Sequence, residues 1–168
     1  MTSIPAFYFP STLVCVDDDL LVVDGYKALF EDSFHCVFFS NVQQVLEFFN
    51  PYRPQVEINN FLNEIYERDS DKPIFQSAVE LQISKIVEIA DNPNRFKEVS
   101  LLLADYYMPE VDGIQLCSIL NPQPCKKALL TGSNDYLTAI RAQNKGIIDY
   151  FANKSDPVEQ IQEAMHDL

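Results

Sequence analysis

Asp17, Asp18 and Asp105 are the residues of this chain whose setting points to chemistry. Leu13-Val14-Cys15-Val16 leads into Asp17-Asp18-Asp19, and Leu101-Leu102-Leu103-Ala104 leads into Asp105. Apolar runs of that length read as strands buried on both faces of a parallel sheet. The acids then stand at the carboxyl ends of strands, where open α/β sheets bind their ligands. Two carboxylates brought within about 4 Å repel by roughly 4 kcal/mol at an effective dielectric of about 20. Such a cluster shares a proton or recruits a cation. Ligands that are all oxygen favour a hard ion, and Mg²⁺ keeps its waters beside one or two carboxylates and a phosphate. An acidic pocket neutralised in this way can accept a phosphoryl group, with Asp105 as the carboxylate nucleophile. Two further strand-like runs add to the set. Ala128-Leu129-Leu130 ends in Thr131-Gly132-Ser133, and Ile147-Ile148-Asp149-Tyr150-Phe151 is followed by Lys154. Lys154 offers a point charge to a phosphoryl oxygen, Thr131 a hydroxyl, and Gly132 an unobstructed backbone.

The elements that must position these residues alternate between strand and helix. Strands are expected near 13–16, 36–39, 101–104, 127–131 and 147–151. Helices are expected near 19–32, 42–49, 113–120, 134–143 and 157–166, the second capped by Ser40-Asn41. Alternation of this kind gives an α/β doubly wound, open parallel sheet. Residues 1–12 read as an irregular arm, because Pro5 and Pro10 block regular structure. Between the second helix and the strand before Asp105 lies Pro51 to Asn92. Ile58, Phe61, Leu62 and Ile65 follow a helical spacing there, as do Val79, Ile83, Ile86, Val87 and Ala90, with Asp69-Ser70-Asp71-Lys72-Pro73 as the break. The spacing predicts a helical hairpin, a single domain over 1–168 with the insertion at 51–92, and an insertion that either thickens the core or offers a docking or dimer surface.

Composition narrows the function. A net charge of −13 over 168 residues argues against direct nucleic-acid binding, which needs Lys and Arg for the phosphates. Cys15, Cys36, Cys117 and Cys125 lack metal-site spacing and read as buried thiols of a reducing compartment. No apolar run approaches membrane-spanning length, and two prolines without a basic residue near the start exclude a signal-peptide pattern. A cytoplasmic location is expected, with no output domain inside these residues. Only four glycines and no G-x-G-x-x-G leave no dinucleotide fingerprint. His35 and His166 stand beside no other ligand type, so a histidine phosphotransfer role of the chain's own is not expected.

In order, the acidic pair near the start, D-x-x-M-P-x-x-D-G from Asp105 to Gly113, Thr131-Gly132 and the late Lys154 resemble the receiver domains of two-component response regulators. The resemblance spans nearly the whole chain apart from 51–92. It implies the flavodoxin-like strand order 2-1-3-4-5, with the helical hairpin inserted between strands 2 and 3. It also implies Mg²⁺-dependent transfer of a phosphoryl group from a histidine kinase's phosphohistidine to Asp105, switching a protein-interaction surface. Such a chain catalyses its own phosphorylation and is not a turnover enzyme. Carried over from the family, Asp18 and Asp105 ligate the metal directly, Asp17 through water, and Tyr107 by its backbone carbonyl. Thr131 and an aromatic form the switch, the aromatic being Tyr150 counted from Gly146 or Phe151 counted back from Lys154, with Tyr150 preferred. The expected partners are a sensor histidine kinase or phosphotransfer protein, a downstream protein or output domain, and a second copy of the chain; no membrane is expected. Three departures stand out, the first being a Thr131-to-Lys154 spacing one residue longer than usual. Ser155 replaces the usual proline after the lysine, and a cis bond there would cost about 3–4 kcal/mol, so a trans bond and a displaced Lys154 are expected. Tyr107 would put a bulky ring at the mouth of the pocket, to shield an acyl phosphate or obstruct access. A degenerate receiver that binds proteins without phosphorylation is the alternative. A haloacid-dehalogenase-type phosphatase would want a second acid at position 107.

Overall fold

The computed structural model of the protein describes residues 12–50, 62–67, 76–84, 88, 96–132 and 135–168. The chain divides into two compact units, one from residues 11–53 and 99–168, the other including 54–98. The first unit holds β1 (Thr12–Val16), α1 (Leu20–Phe30), β2 (His35–Phe39) and α2 (Val42–Phe49). The chain returns to it as β5 (Val99–Asp105), α3 (Gly113–Ile119), β6 (Lys126–Thr131), α4 (Tyr136–Asn144), β7 (Tyr150–Asn153) and α5 (Val158–Asp167). Its sheet has the order β2-β1-β5-β6-β7 with every pair parallel. Counted within this unit the order is 2-1-3-4-5, as the sequence resemblance implies.

Strand alternation divides the apolar residues between the two faces of this sheet. Val14, Val16, Leu102, Ala104 and Leu129 pack with Val42, Val45 and Phe49 of α2, Leu116 of α3 and Ala139 of α4. Leu13, Cys15, Leu103 and Leu130 pack with Tyr26 and Phe30 of α1 and Ile161 and Met165 of α5. Each large side chain buried this way contributes roughly 1.5–3 kcal/mol. The four cysteines are free thiols, three of them buried. No helix among the described residues is long and apolar enough to cross a membrane.

The insertion departs from expectation. β3 (Leu62–Glu67) and β4 (Gln76–Leu81) form an antiparallel two-stranded sheet, so these segments are strands rather than helices. Leu62 and Ile65 sit three apart, which suits a helix, but the six-residue segment is too short to hold a helix by its own propensity. Pairing Leu62 with Leu81, Glu64 with Val79 and Ile65 with Ala78 instead gives each backbone its hydrogen-bond partners. Ile83, Ser84 and Glu88 do have helical backbone. Ile58, Phe61, Ile86, Val87, Ala90, the break at 69–73 and the arm at 1–11 lie outside the described residues.

A second difference concerns β7, which begins at Tyr150 rather than near Ile147. Gly146 takes a left-handed φ of 68° and closes α4. The Ile147 amide then donates back to the Ala142 carbonyl (3.0 Å), and Ile148 is buried against the helix-covered core. These two isoleucines complete a helix C-terminus instead of starting a strand. Asp149 follows, its amide donating to Lys127 (2.8 Å) and its carboxylate accepting from the Lys127 amide and the Lys126 ammonium.

One contact fixes the start of α3 beside the end of β5. Asp112 caps the helix by accepting from the Gln115 amide (2.7 Å), and the Gln115 side chain donates back to it (2.9 Å). A Cβ at Gly113 would overlap the Asp105 carbonyl oxygen and lie 2.6 Å from Leu129 Cδ1. Helix propensity alone would make alanine the better residue here. Sterics decide the other way, so Gly113→Ala should cost about 1–3 kcal/mol. Urea denaturation measures it, and an unchanged or raised midpoint would contradict this packing.

Candidate functional site

The site is assembled from loops that follow strand ends. β1 ends at Val16, and Asp17, fully buried, comes next. Asp17 Oδ1 accepts the Asp19 amide (3.0 Å), while Asp17 Oδ2 accepts the Tyr26 hydroxyl (3.0 Å) and Lys154 Nζ (2.8 Å). Asp19 belongs to the helix rather than to the cluster, because its carboxylate caps α1 at the Leu21 amide (2.9 Å). Asp18, between them, is exposed.

Asp105 is the last residue of β5 and is 4% exposed. Its Oδ1 lies 2.9 Å from Lys154 Nζ, and the Tyr107 amide donates to its carboxylate. One oxygen from each of Asp17, Asp18 and Asp105 falls within 4.8 Å of the others, the acidic cluster among the described residues. The donor set contains only carboxylate oxygen, with two members buried and one facing solvent. That chemistry fits a hard divalent cation and offers nothing to a soft one.

Lys154 follows β7, where its amide donates to the Thr131 carbonyl (3.0 Å). There is no cis peptide bond among the described residues, so Lys154-Ser155 is trans as expected. The expected displacement of Lys154 does not occur. Asn153 Oδ1 accepts both the amide and the hydroxyl of Ser155 (2.9 and 2.7 Å), and Asp156 Oδ2 accepts the Asn153 amide (2.8 Å). This side-chain turn aims Lys154 at both carboxylates.

Thr131 is fully buried at the end of β6, its hydroxyl donating to the Gly132 carbonyl (3.1 Å). Of the two aromatic candidates, alternation along β6 and β7 puts Phe151 on the face shared with Thr131, in edge contact with Tyr136 of α4 (5.6 Å). Tyr150 points to the opposite face, toward the cluster under α1 and α5. Phe151, rather than the preferred Tyr150, therefore shares the sheet face of Thr131, because the strand begins at Tyr150 and not near Ile147. The Tyr107 ring is 62% exposed, edge-on to Tyr106, and its hydroxyl donates to Asp135 Oδ1 (2.9 Å) in the loop after β6. It is tethered across to that loop. His35 shares a 2.8 Å hydrogen bond with Thr12, and His166 stacks on Phe34, so neither histidine joins the cluster.

Tyr26 is the site residue that sequence reasoning missed. It occupies an apolar-face position of α1 between Val23 and Phe30, where an aromatic reads as core. Only the buried acid opposite it gives its hydroxyl a purpose. A phenol four residues from a buried Phe, on the helix following an acidic strand end, is the signal that could have found it. Burial, then the Asp17 charge, push its pKa well above the ordinary range.

Burial raises the Asp105 pKa above the usual carboxylate value, and the adjacent Lys154 offsets this only in part. For Lys154, burial works against the charge, but hydrogen bonds to Asp17 and Asp105 outweigh it and raise its pKa. A raised carboxyl pKa means that the folded state binds this proton more tightly than the unfolded chain does. Its contribution to stability is therefore full below the ordinary carboxylate value and is lost as pH rises through the elevated one. A carbon-13 titration of metal-free protein should show the Asp105 carboxyl ionising above about 3.9, the reference for aspartate. A midpoint below that reference would mean that Lys154 dominates desolvation.

No family model and no curated protein matches the sequence. Comparison with solved structures gives clear likenesses. The response regulator LqsR of Legionella pneumophila superposes over 96% of this chain with a TM-score of 0.71 and 28% identity. This chain spans 44% of that protein's length. A response regulator receiver domain protein of Clostridium thermocellum matches over 94% of this chain and 92% of its own, at TM-score 0.60 and 17% identity. The signal receiver domain of an HD domain-containing protein from Pseudomonas fluorescens Pf-5 matches over 95% and 94%, at TM-score 0.60 and 16% identity. With its sheet order and its strand-end acids already established, the chain is similar to the receiver domains of response regulators and has their fold.

Proposed function

We propose that this protein is a phosphoacceptor receiver of a two-component or phosphorelay system, phosphorylated on Asp105. The observation that carries the reading is the Lys154 ammonium held between Asp17 and Asp105 at 2.8 and 2.9 Å. A buried carboxylate nucleophile needs its negative charge balanced before a phosphoryl group can approach, and Lys154 supplies one balancing charge in place. Asp18, Asp105 and the Tyr107 carbonyl would hold Mg²⁺, with Asp17 acting through water. When bound, the ion supplies the remaining charge neutralisation for the phosphoryl oxygens. The chain's own residues do the rest. A carboxylate oxygen of Asp105 attacks phosphorus in line, the bond from phosphorus to the donor imidazole nitrogen breaks, and that nitrogen leaves with the electron pair. Lys154 shifts toward a phosphoryl oxygen, Thr131 turns its hydroxyl from the Gly132 carbonyl to another, and Phe151 on the same face follows.

The result is a changed surface rather than a released product, read by a downstream protein or output domain. The 51–92 insertion, which this chemistry does not use, would serve contacts with a partner or a second copy.

Incubation with Mg²⁺ and acetyl phosphate, followed by intact mass, tests this. The wild type should gain one phosphoryl group and Asp105→Asn none. Labelling of the variant at the wild-type level would move the acceptor elsewhere. An unlabelled wild type would make the chain a phosphorylation-independent binding module.

A further inference from the structure

We propose that Tyr26 is a positioning residue whose hydroxyl keeps Asp17 Oδ2 partnered and so lets Lys154 move to a phosphoryl oxygen. The effect on phosphorylation rests on the function proposed above; the competition for Asp17 Oδ2 does not. That one oxygen accepts from both the Tyr26 hydroxyl (3.0 Å) and the Lys154 ammonium (2.8 Å). The other oxygen, Oδ1, takes the Asp19 amide (3.0 Å).

The two donors are held differently. Tyr26 is buried on α1, its ring tilted against Phe30 with centroids 6.3 Å apart. The same apolar cluster includes Leu13 and Ile161, so packing fixes the ring and with it the hydroxyl. Lys154 is a flexible chain, its side chain one-third exposed, and it is shared with Asp105. Phenylalanine would fill the same space, and a buried hydroxyl is costly unless it is hydrogen-bonded. The oxygen of Tyr26 is therefore there for Asp17. Burial, then the Asp17 charge, push the tyrosine pKa up, so the phenol stays a donor.

A fixed donor beside a mobile one makes the mobile one easier to remove. The Asp17 side chain is 1% exposed, so solvent offers little in exchange for a lost partner. If Lys154 were the sole donor to Oδ2, its departure would strip a buried carboxylate oxygen, the costly case for a charged group. With Tyr26 in place the oxygen keeps one hydrogen bond. Sharing one acceptor also weakens the hold on each donor.

Tyr26→Phe removes the hydroxyl and keeps the ring. Proton exchange between the Lys154 ammonium and water, read on nitrogen-15-lysine-labelled protein without metal, should slow about fivefold in the variant. The saturating rate of labelling by Mg²⁺ and acetyl phosphate should fall about tenfold. Affinity for Mn²⁺ without a phosphoryl donor, followed by electron paramagnetic resonance, should stay within about twofold, because the one Tyr26 proton goes to Asp17 and none to Asp18 or Asp105. Phe30→Leu is the packing control, and should lower the unfolding midpoint while leaving exchange and labelling at wild-type rates. Mn²⁺ affinity that falls in step with the rate would overturn the proposal, since the hydroxyl would then only hold Asp17 in shape. Unchanged exchange, an unchanged labelling rate, a variant that does not fold, or equal slowing in Phe30→Leu would overturn it too. A wild type that takes no phosphate, with exchange still slowed in Tyr26→Phe, would leave the competition standing and remove the receiver function.

Discussion

A single ammonium group ties together loops that follow three strands of the sheet. Lys154 Nζ reaches Asp17 after β1 and Asp105 at the end of β5, although β6 stands between β5 and its own strand. Both carboxylate side chains are nearly excluded from water, at 1% and 6% exposure. Buried acids this close to one another are tolerable only with a countercharge, since stripping one partner from a buried pair leaves an uncompensated charge. The chain can reach across because Thr131-Gly132 end β6 with no long side chain. It holds its aim because Asn153 and Asp156 fold the following turn with their own side chains. The remaining architecture follows from keeping these loops adjacent. Parallel pairing of β1 with β5 and of β5 with β6 places them, and Gly113 lets α3 press against the Asp105 backbone.

Tyr26 links this polar centre to the packing of the helices. Its ring is part of the apolar cluster beneath α1 and α5, and its hydroxyl is a ligand of Asp17. A shift of α1 over the sheet would therefore be felt at the acid, and a change of charge at the acid would be felt by the helix. On the other face, Phe151 of β7 meets Tyr136 of α4 edge-on.

The five-stranded sheet was legible because strands covered on both faces are written as unbroken apolar runs, and four of the five ended in a chemically telling residue. Leu101 to Ala104 followed by Asp105 is the clearest case. β7 was misplaced because Ile147 and Ile148 look like strand residues but serve as the hydrophobic closure of α4, and only the left-handed Gly146 marks the difference. The β3–β4 pair was misread for a related reason: a spacing of three in a short segment does not distinguish helix from strand, and the partners that decide it lie nine to nineteen residues away in β4. Lys154 was legible as a residue but not in its position, since the sequence showed the missing proline and not the Asn153-Ser155 turn that replaces it. Tyr26 was invisible because a helix position that faces the core hides a hydroxyl whose partner is also buried.

The account turns on whether Lys154 is what makes two buried carboxylates tolerable. Equilibrium urea unfolding of Lys154→Met against wild type at pH 7, in metal-free buffer and again with Mg²⁺, measures this. The account predicts that the substitution costs about 2 kcal/mol without metal, below the full penalty of a broken buried pair because Lys154 is partly solvated. It also predicts that Mg²⁺ restores more stability to the variant than it adds to the wild type. A variant as stable as wild type in metal-free buffer, gaining no more from Mg²⁺ than wild type does, would contradict it.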